Sequence, residues 1–163
     1  MALNYKPAID GLDVQILQVL QQNARISLSE LGRQIKLSQP AVAERVRRLE
    51  EADIIRGYHA DIDPGKIGLP ITAYIRITTA GPQYRTMVAV LEDVPEVVEC
   101  HTLTGDDCVI LKVLVASISQ LEGIINQLWP YGTTSTSIVL SSPLKRHTLI
   151  GSETLSSSSG EPK

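Results

Sequence analysis

Ser27-Leu28-Ser29-Glu30-Leu31-Gly32-Arg33-Gln34-Ile35-Lys36-Leu37-Ser38-Gln39-Pro40-Ala41-Val42-Ala43-Glu44-Arg45-Val46-Arg47-Arg48-Leu49-Glu50 holds two helix starts separated by a short hinge. Ser27 with Glu30 reads as a capping box, in which hydroxyl and carboxylate satisfy free N–H groups reciprocally, and it opens a helix of two turns through Ile35. Ser38 is a second N-cap, followed by Pro40 in the first turn, where a missing N–H costs nothing. The helix it opens is expected to run to about Ala52. At about 100° per residue, Val46 and Leu49 fall within about 40° of Val42, giving an inward stripe. Gln39, Pro40, Ala43, Glu44, Arg47 and Arg48 fall on the opposite side. Two short helices joined by a tight turn, the second with a polar outer face, are the core of a helix-turn-helix.

Working outward, residues 10–21 carry Leu12, Ile16, Leu17, Val19 and Leu20 near helical spacing, with Asp10 as N-cap and Asp13 in the first turn. Past the second start, residues 54–58 read as a strand and Asp63-Pro64-Gly65 as a turn. Together these predict a winged helix-turn-helix over residues 1–60, then a linker over 61–70.

From Ile71 the period changes to two: Ile71, Ala73, Ile75 and Ile77 alternate with Thr72, Tyr74, Arg76 and Thr78. A helix follows from Pro82, with Tyr84, Met87, Val88 and Leu91 on one face. Two strands, 97–103 and 109–116, flank a turn at Thr104-Gly105-Asp106-Asp107. A further helix is expected to be capped at Ser119 with Glu122, and a last strand covers 134–140. The order β-α-β-β-α-β predicts a ferredoxin-like domain over residues 71–150, so the fold class is α+β. Both faces of the strand 109–116 are mainly apolar, and helices cover only one. The other predicts a partner, most simply a second copy. The serine-rich residues 151–163 read as a disordered tail.

The chain has 163 residues, 15 Lys+Arg and 18 Asp+Glu, for a net charge of −3. That sum hides a gradient. Residues 1–60 hold eight bases (Lys6, Arg25, Arg33, Lys36, Arg45, Arg47, Arg48, Arg56) against seven acids, while residues 61–163 hold seven against eleven. Within 33–48 there are five bases and one acid, Glu44. The polar helix face is therefore also the basic one, which suits double-stranded DNA. Gln39 matches the adenine edge and Arg47 the guanine edge. Small Pro40 and Ala43 permit close approach with Glu44 beside them, and Ser38, Arg45, Arg48 and Arg56 are placed for phosphates. The alternative is a solvated face in which the arginines pair with Glu44, Glu50 and Glu51.

No apolar run approaches the roughly 20 residues of a membrane span, and the first residues do not resemble a secretory leader. With Cys100 and Cys108 as the only cysteines, a disulfide framework is not expected. These points predict a cytoplasmic protein without membrane association. One Trp, five Tyr and no Phe leave few rings for stacking on single-stranded bases. Cys100 and His101 point to opposite strand faces, so no metal site and no cofactor are expected; two buried thiols are the simpler reading, with a regulatory disulfide left open. His59 and His147 are read as surface or wing residues. No catalytic constellation stands out, so an enzyme is not expected.

The run Leu12-Asp13, Ile16-Leu17, Asn23-Ala24-Arg25, Ser29-Glu30-Leu31-Gly32, Leu37-Ser38, Val42, Arg45-Val46, Leu49-Glu50, Ile54-Ile55 and Gly57-Tyr58 resembles the Lrp/AsnC (leucine-responsive regulatory protein) family. The resemblance continues through Glu99-Cys100 and Thr104-Gly105 and covers about residues 10–142. It implies a cytoplasmic, sequence-specific transcription regulator that dimerises through its sheet, assembles as far as octamers and responds to amino acids. Its effector motif maps onto Thr104, Gly105, Asp106, Asp107 and Cys108, with Thr134 and Thr136 on the last strand for the ligand carboxylate. Two positions depart from the pattern. Asp53 stands where the family has Gly after the recognition helix. Cys108 stands where it has Asp, so Asp106 or Asp107 substitutes, or the ligand differs, or there is none. The same two-domain plan also resembles the AsnC-like sirohaem decarboxylases, an enzymatic alternative against which the Arg-rich helix argues.

Overall fold

The computed structural model describes residues 9–79, 81–104 and 109–144, and the chain divides into two compact bodies between Ala60 and Asp61. Gly105, Asp106, Asp107, Cys108, His147 and the tail 151–163 lie outside the described residues.

In the first body, helix α1 (Gly11–Gln22) begins at Asp10, whose carboxylate accepts the N–H groups of Leu12 and Asp13, both at 2.9 Å. Asp13 reciprocates by accepting the Asp10 N–H at 3.2 Å, completing a capping box. Helix α2 (Leu28–Ile35) starts where Ser27 Oγ accepts the Glu30 N–H at 3.1 Å. The expected reciprocal half is absent, because the Glu30 carboxylate turns outward to Arg33 and Gln34. Lys36 takes the left-handed conformation, φ 60°, and the Leu37 N–H closes on the Gly32 carbonyl at 2.8 Å. That hinge requires a glycine: a Cβ on residue 32 would lie 2.6 Å from the Leu37 oxygen. Helix α3 (Gln39–Glu51) follows from its Ser38 cap, with Pro40 in the first turn. Ile16, Leu17, Leu31, Ile35, Val42, Val46 and Leu49 form the shared aliphatic core.

The strand expected at residues 54–58 does not form a ladder among the described residues. A strand needs a neighbour for its amides, and here the N–H groups of Ile54 and Ile55 both turn back to the Leu49 carbonyl, closing the end of α3. Asp53 sits at φ 53°, the left-handed conformation for which the family uses glycine.

The second body is a four-stranded antiparallel sheet of order β2-β3-β1-β4, from β1 (Ile71–Thr78), β2 (Val97–Thr102), β3 (Val109–Val115) and β4 (Thr133–Ile138). Helices α4 (Gly81–Leu91) and α5 (Ile118–Leu128) provide the crossovers, so the β-α-β-β-α-β expectation holds. Ala73, Ile75, Ile77, Val109, Leu111, Val113 and Val115 are all fully buried against Met87, Leu91, Leu121, Ile124 and Leu128, which places both helices on one face. The α5 cap is Ser117, not Ser119: its hydroxyl accepts the Gln120 N–H at 3.2 Å, and the Gln120 side chain returns to the Ala116 N–H at 2.9 Å. Glutamine three residues after the serine serves as well as glutamate, and the cap sits one half-turn earlier.

The face away from the helices is less apolar than β3 alone suggested. Ile110 and Leu114 are half-buried along its centre, but Lys112 bonds Glu99 at 2.6 Å, His101 stands 3.4 Å from the same carboxylate, and Arg76 reaches Ser137. Glu99 is held below the ordinary carboxylate range, chiefly by the Lys112 hydrogen bond. Cys100 is exposed, which corrects the reading of a buried thiol: β2 is an edge strand of the sheet. The register sets Cys100 beside Leu111 and His101 beside Ile110, on opposite faces.

Candidate nucleic-acid interface

The outward side of α3 presents Ser38, Gln39, Pro40, Glu44, Arg47 and Arg48 as exposed residues, with Ala43 partly covered between them. Val42, Val46 and Leu49 anchor the opposite side. The first turn combines a serine cap, a proline and a short alanine one turn on. This leaves a shallow, positively polarised helix end with little side-chain bulk between the backbone and an approaching surface.

Arg47 is held by two glutamates of its own helix. Its Nε and Nη2 donate to Glu44 at 3.1 and 2.6 Å, and Nη1 donates to Glu51. The Glu44 hydrogen bond, reinforced by the nearby charges, raises the guanidinium pKa and keeps Glu44 itself below its ordinary range. All three side chains are more than half exposed. Exposed ion pairs contribute little, so exchanging these partners for a base edge or phosphate meets no large barrier. The pairing anticipated for a solvated face is thus present without occupying the site irreversibly. Among the described residues no ion pair engages Arg48 or Arg56, and both are exposed.

Arg45 is placed differently. Its Nη1 donates to Asp10 and Asp13, each at 2.7 Å, across 35 and 32 residues of sequence. Its side chain is 22% exposed, against 56% for Arg47. Tyr58 adds a second long link by donating to Glu50 at 2.8 Å; partial burial and that carboxylate push its pKa up to about 12. Neither link was anticipated from the sequence. Each joins residues in different elements, and no local spacing announces such a pair.

In the second body, Thr134 and Thr136 lie on β4 opposite Ile77 and Ile75, on the helix side of the sheet. Thr102, Val109, Ile77 and Thr134 form one row across all four strands. Thr104 follows β2 at the same end as Thr134 but at the other edge, about 14 Å away at the usual strand spacing. The structure therefore does not bring Thr104 together with Thr134 and Thr136 in one chain. No group of three or more metal-ligating side chains occurs among the described residues, and no described helix is long and apolar enough to cross a membrane.

The AsnC-type helix-turn-helix domain matches residues 9–50, and the Lrp/AsnC ligand binding domain matches residues 72–149. The HTH-type transcriptional regulator LrpC of Bacillus subtilis (strain 168) is 35% identical over 133 residues, spanning 82% of this chain and 92% of that one. The regulatory protein AsnC of Escherichia coli (strain K12) is 34% identical over 143 residues, spanning 85% and 94%. The solved structure of LrpC superposes with a TM-score of 0.80, covering 84% of this chain and 98% of LrpC at 34% identity. A transcriptional regulator from Neisseria meningitidis in complex with L-Met superposes at 0.79, covering 87% and 96% at 28% identity. A helix-turn-helix whose second helix exposes Arg47 and Arg48, the split β-α-β sheet domain and likenesses that span most of the chain lead to one conclusion: the chain belongs to the Lrp/AsnC family of transcriptional regulators.

Proposed function

We propose that the outward face of α3 reads double-stranded DNA in the major groove, with Gln39, Pro40, Ala43, Glu44 and Arg47 toward the base edges. Ser38, Arg48 and Arg56 are assigned to the phosphates. The observation that carries this reading is the exposure of the capped N-terminal half of α3, with its apolar stripe fully anchored behind it. One head covers only a few base pairs, so recognition at cellular salt calls for at least a dimer, whose paired helices enter successive grooves. The centre of the open sheet face, Ile110 and Leu114, is the surface assigned to that pairing, and further assembly toward an octamer is part of the proposal.

An amino acid is the proposed effector, supported by the matching ligand-binding domain and by the L-Met complex of the Neisseria meningitidis regulator. The hydroxyls and amides at Thr134 and Thr136 suit its carboxylate, with Thr104, Gly105, Asp106, Asp107 and Cys108 as the other wall. Because Thr104 and Thr134 stand at opposite sheet edges, a second copy would bring the two walls together. The neutral thiol of Cys108 cannot pair with an ammonium group as a carboxylate does, which leaves Asp106 or Asp107 for that contact. Effector binding then shifts assembly only through contacts made in one arrangement and not the other.

Selection of duplexes from a random pool, followed by gel-shift titration with and without a panel of amino acids, tests both parts. A recovered consensus whose binding responds to an amino acid is the expected result. Recovery of unrelated sequences at uniform affinity would contradict the DNA reading.

A further inference from the structure

Arg45 is one of three arginines on α3, and by sequence it belonged with the phosphate contacts. Its surroundings in the folded head are unlike those of Arg47. The guanidinium donates at 2.7 Å to each of two carboxylates, and Asp13, 4% exposed at its side chain, is the only buried charged residue among the described ones. Both carboxylates are also tied to the backbone at the start of α1. Asp10 also accepts two backbone N–H groups of α1, and Asp13 accepts the Asp10 N–H. The first turn of α1 and the middle of α3 are thereby joined in one closed network. Removing Arg45 would leave the buried Asp13 carboxylate without its counter-charge, which is more disruptive than losing an exposed pair.

We propose that Arg45 is a positioning residue rather than a DNA contact, setting the rotation of the recognition helix about its own axis through Asp10 and Asp13. Three aliphatic residues, Val42, Val46 and Leu49, hold α3 against the core without directional bonds. A two-point guanidinium link is directional. It matters because a rotation of about 20° carries an arginine tip on α3 roughly 3 Å, further than a hydrogen bond to a base edge tolerates. The inference rests on the DNA-reading role of α3 and assigns that role's geometry to residues that never touch DNA.

The discriminating variant is Asp13→Asn. It removes a negative charge from the head, so plain electrostatics predicts equal or tighter DNA binding, whereas loss of the link predicts weaker binding to a preferred site. Affinities of the full chain are measured over a range of salt for a duplex selected by the wild type and a scrambled duplex of the same composition. Arg45→Ala, Arg45→Lys and Asp13→Asn are compared, with circular dichroism to confirm folding. We expect Arg45→Ala and Asp13→Asn each to cut the selected-to-scrambled preference about tenfold or more. The slope of log affinity against log salt should stay unchanged, and Arg45→Lys should retain an intermediate preference. A slope shallower by about one unit per head in Arg45→Ala, with Asp13→Asn at or above wild type, would make Arg45 a phosphate contact and overturn the proposal. If Arg45→Ala does not fold, Asp13→Asn and Arg45→Lys decide between the same outcomes. A wild type without any preference would instead sink the DNA reading itself.

Discussion

Two backbone positions show how single residues shape the reading head. Gly32 has the Leu37 carbonyl where a Cβ would stand, so Gly32→Ala must push α2 and α3 apart at their hinge. Overpacking of this kind commonly costs about 1–3 kcal/mol, to be read as a lower melting temperature with weakened DNA binding. Asp53 has the opposite sign: at φ 53° it already occupies a conformation that glycine adopts freely, and Asp53→Gly should stabilise the chain by up to about 1 kcal/mol. Thermal denaturation of the two variants should shift in opposite directions. The departure from the family at Asp53 was legible in the sequence because it concerns one residue's own conformational preference. Arg45 was not legible in the same way. Its partners lie more than thirty residues away, and only the fold reveals that this arginine is tied to Asp10 and Asp13 while Arg47, two residues on, pairs within its own helix.

At the scale of elements, capping signals and periodicity located the five α-helices and four sheet strands found among the described residues. They did so because the core is aliphatic and its pattern is regular: β3 alternates fully buried Val109, Leu111, Val113 and Val115 with half-buried neighbours. The misses share a cause. Residues 54–58 have strand-like composition, but composition does not supply a pairing partner, and the free amides close α3 instead. Ser119 competed with Ser117 for one cap, and Gln120 bonding back to Ala116 decided it. The cap of α1 has a pH signature. Asp10 is held below the ordinary aspartate value of 3.8, first by the Asp13 N–H and, among the lowering contacts, next by Arg45. A depressed carboxylate contributes stability fully above its unfolded value and loses it as pH falls through the native one. Between pH 5 and pH 3 the melting temperature should therefore fall further for the wild type than for Asp10→Asn. Equal falls would mean that the cap is not charge-dependent.

At the scale of the whole molecule, the net charge of −3 is the sum of a slightly basic head and an acidic sheet domain. Only the head has a reason to meet phosphate. A small charge per head implies that tight binding comes from joining several heads on one DNA, so the salt dependence should rise with the number of heads engaged. The sheet domain's open face is assigned to that joining, although its apolar groups Ile110, Leu114 and Tyr74 are interspersed with the Lys112–Glu99 pair and Arg76. Placing a carboxylate there with Leu114→Asp should leave the monomer folded, since Leu114 is outside the buried core, and should lower its mass in sedimentation equilibrium. An unchanged assembly would move the interface elsewhere. This surface was overestimated from β3 alone, because a face is built from four strands and all four contribute polar residues to it.

The claim on which the rest depends is that α3 reads bases through its outward face, and Arg47→Ala tests it most directly. Affinity for a duplex selected by the wild type and for a scrambled duplex is measured at one fixed salt concentration. Loss of a bidentate base contact predicts that binding to the selected duplex weakens on the order of 10- to 100-fold while binding to the scrambled one changes little. Unchanged affinity and unchanged preference would contradict it.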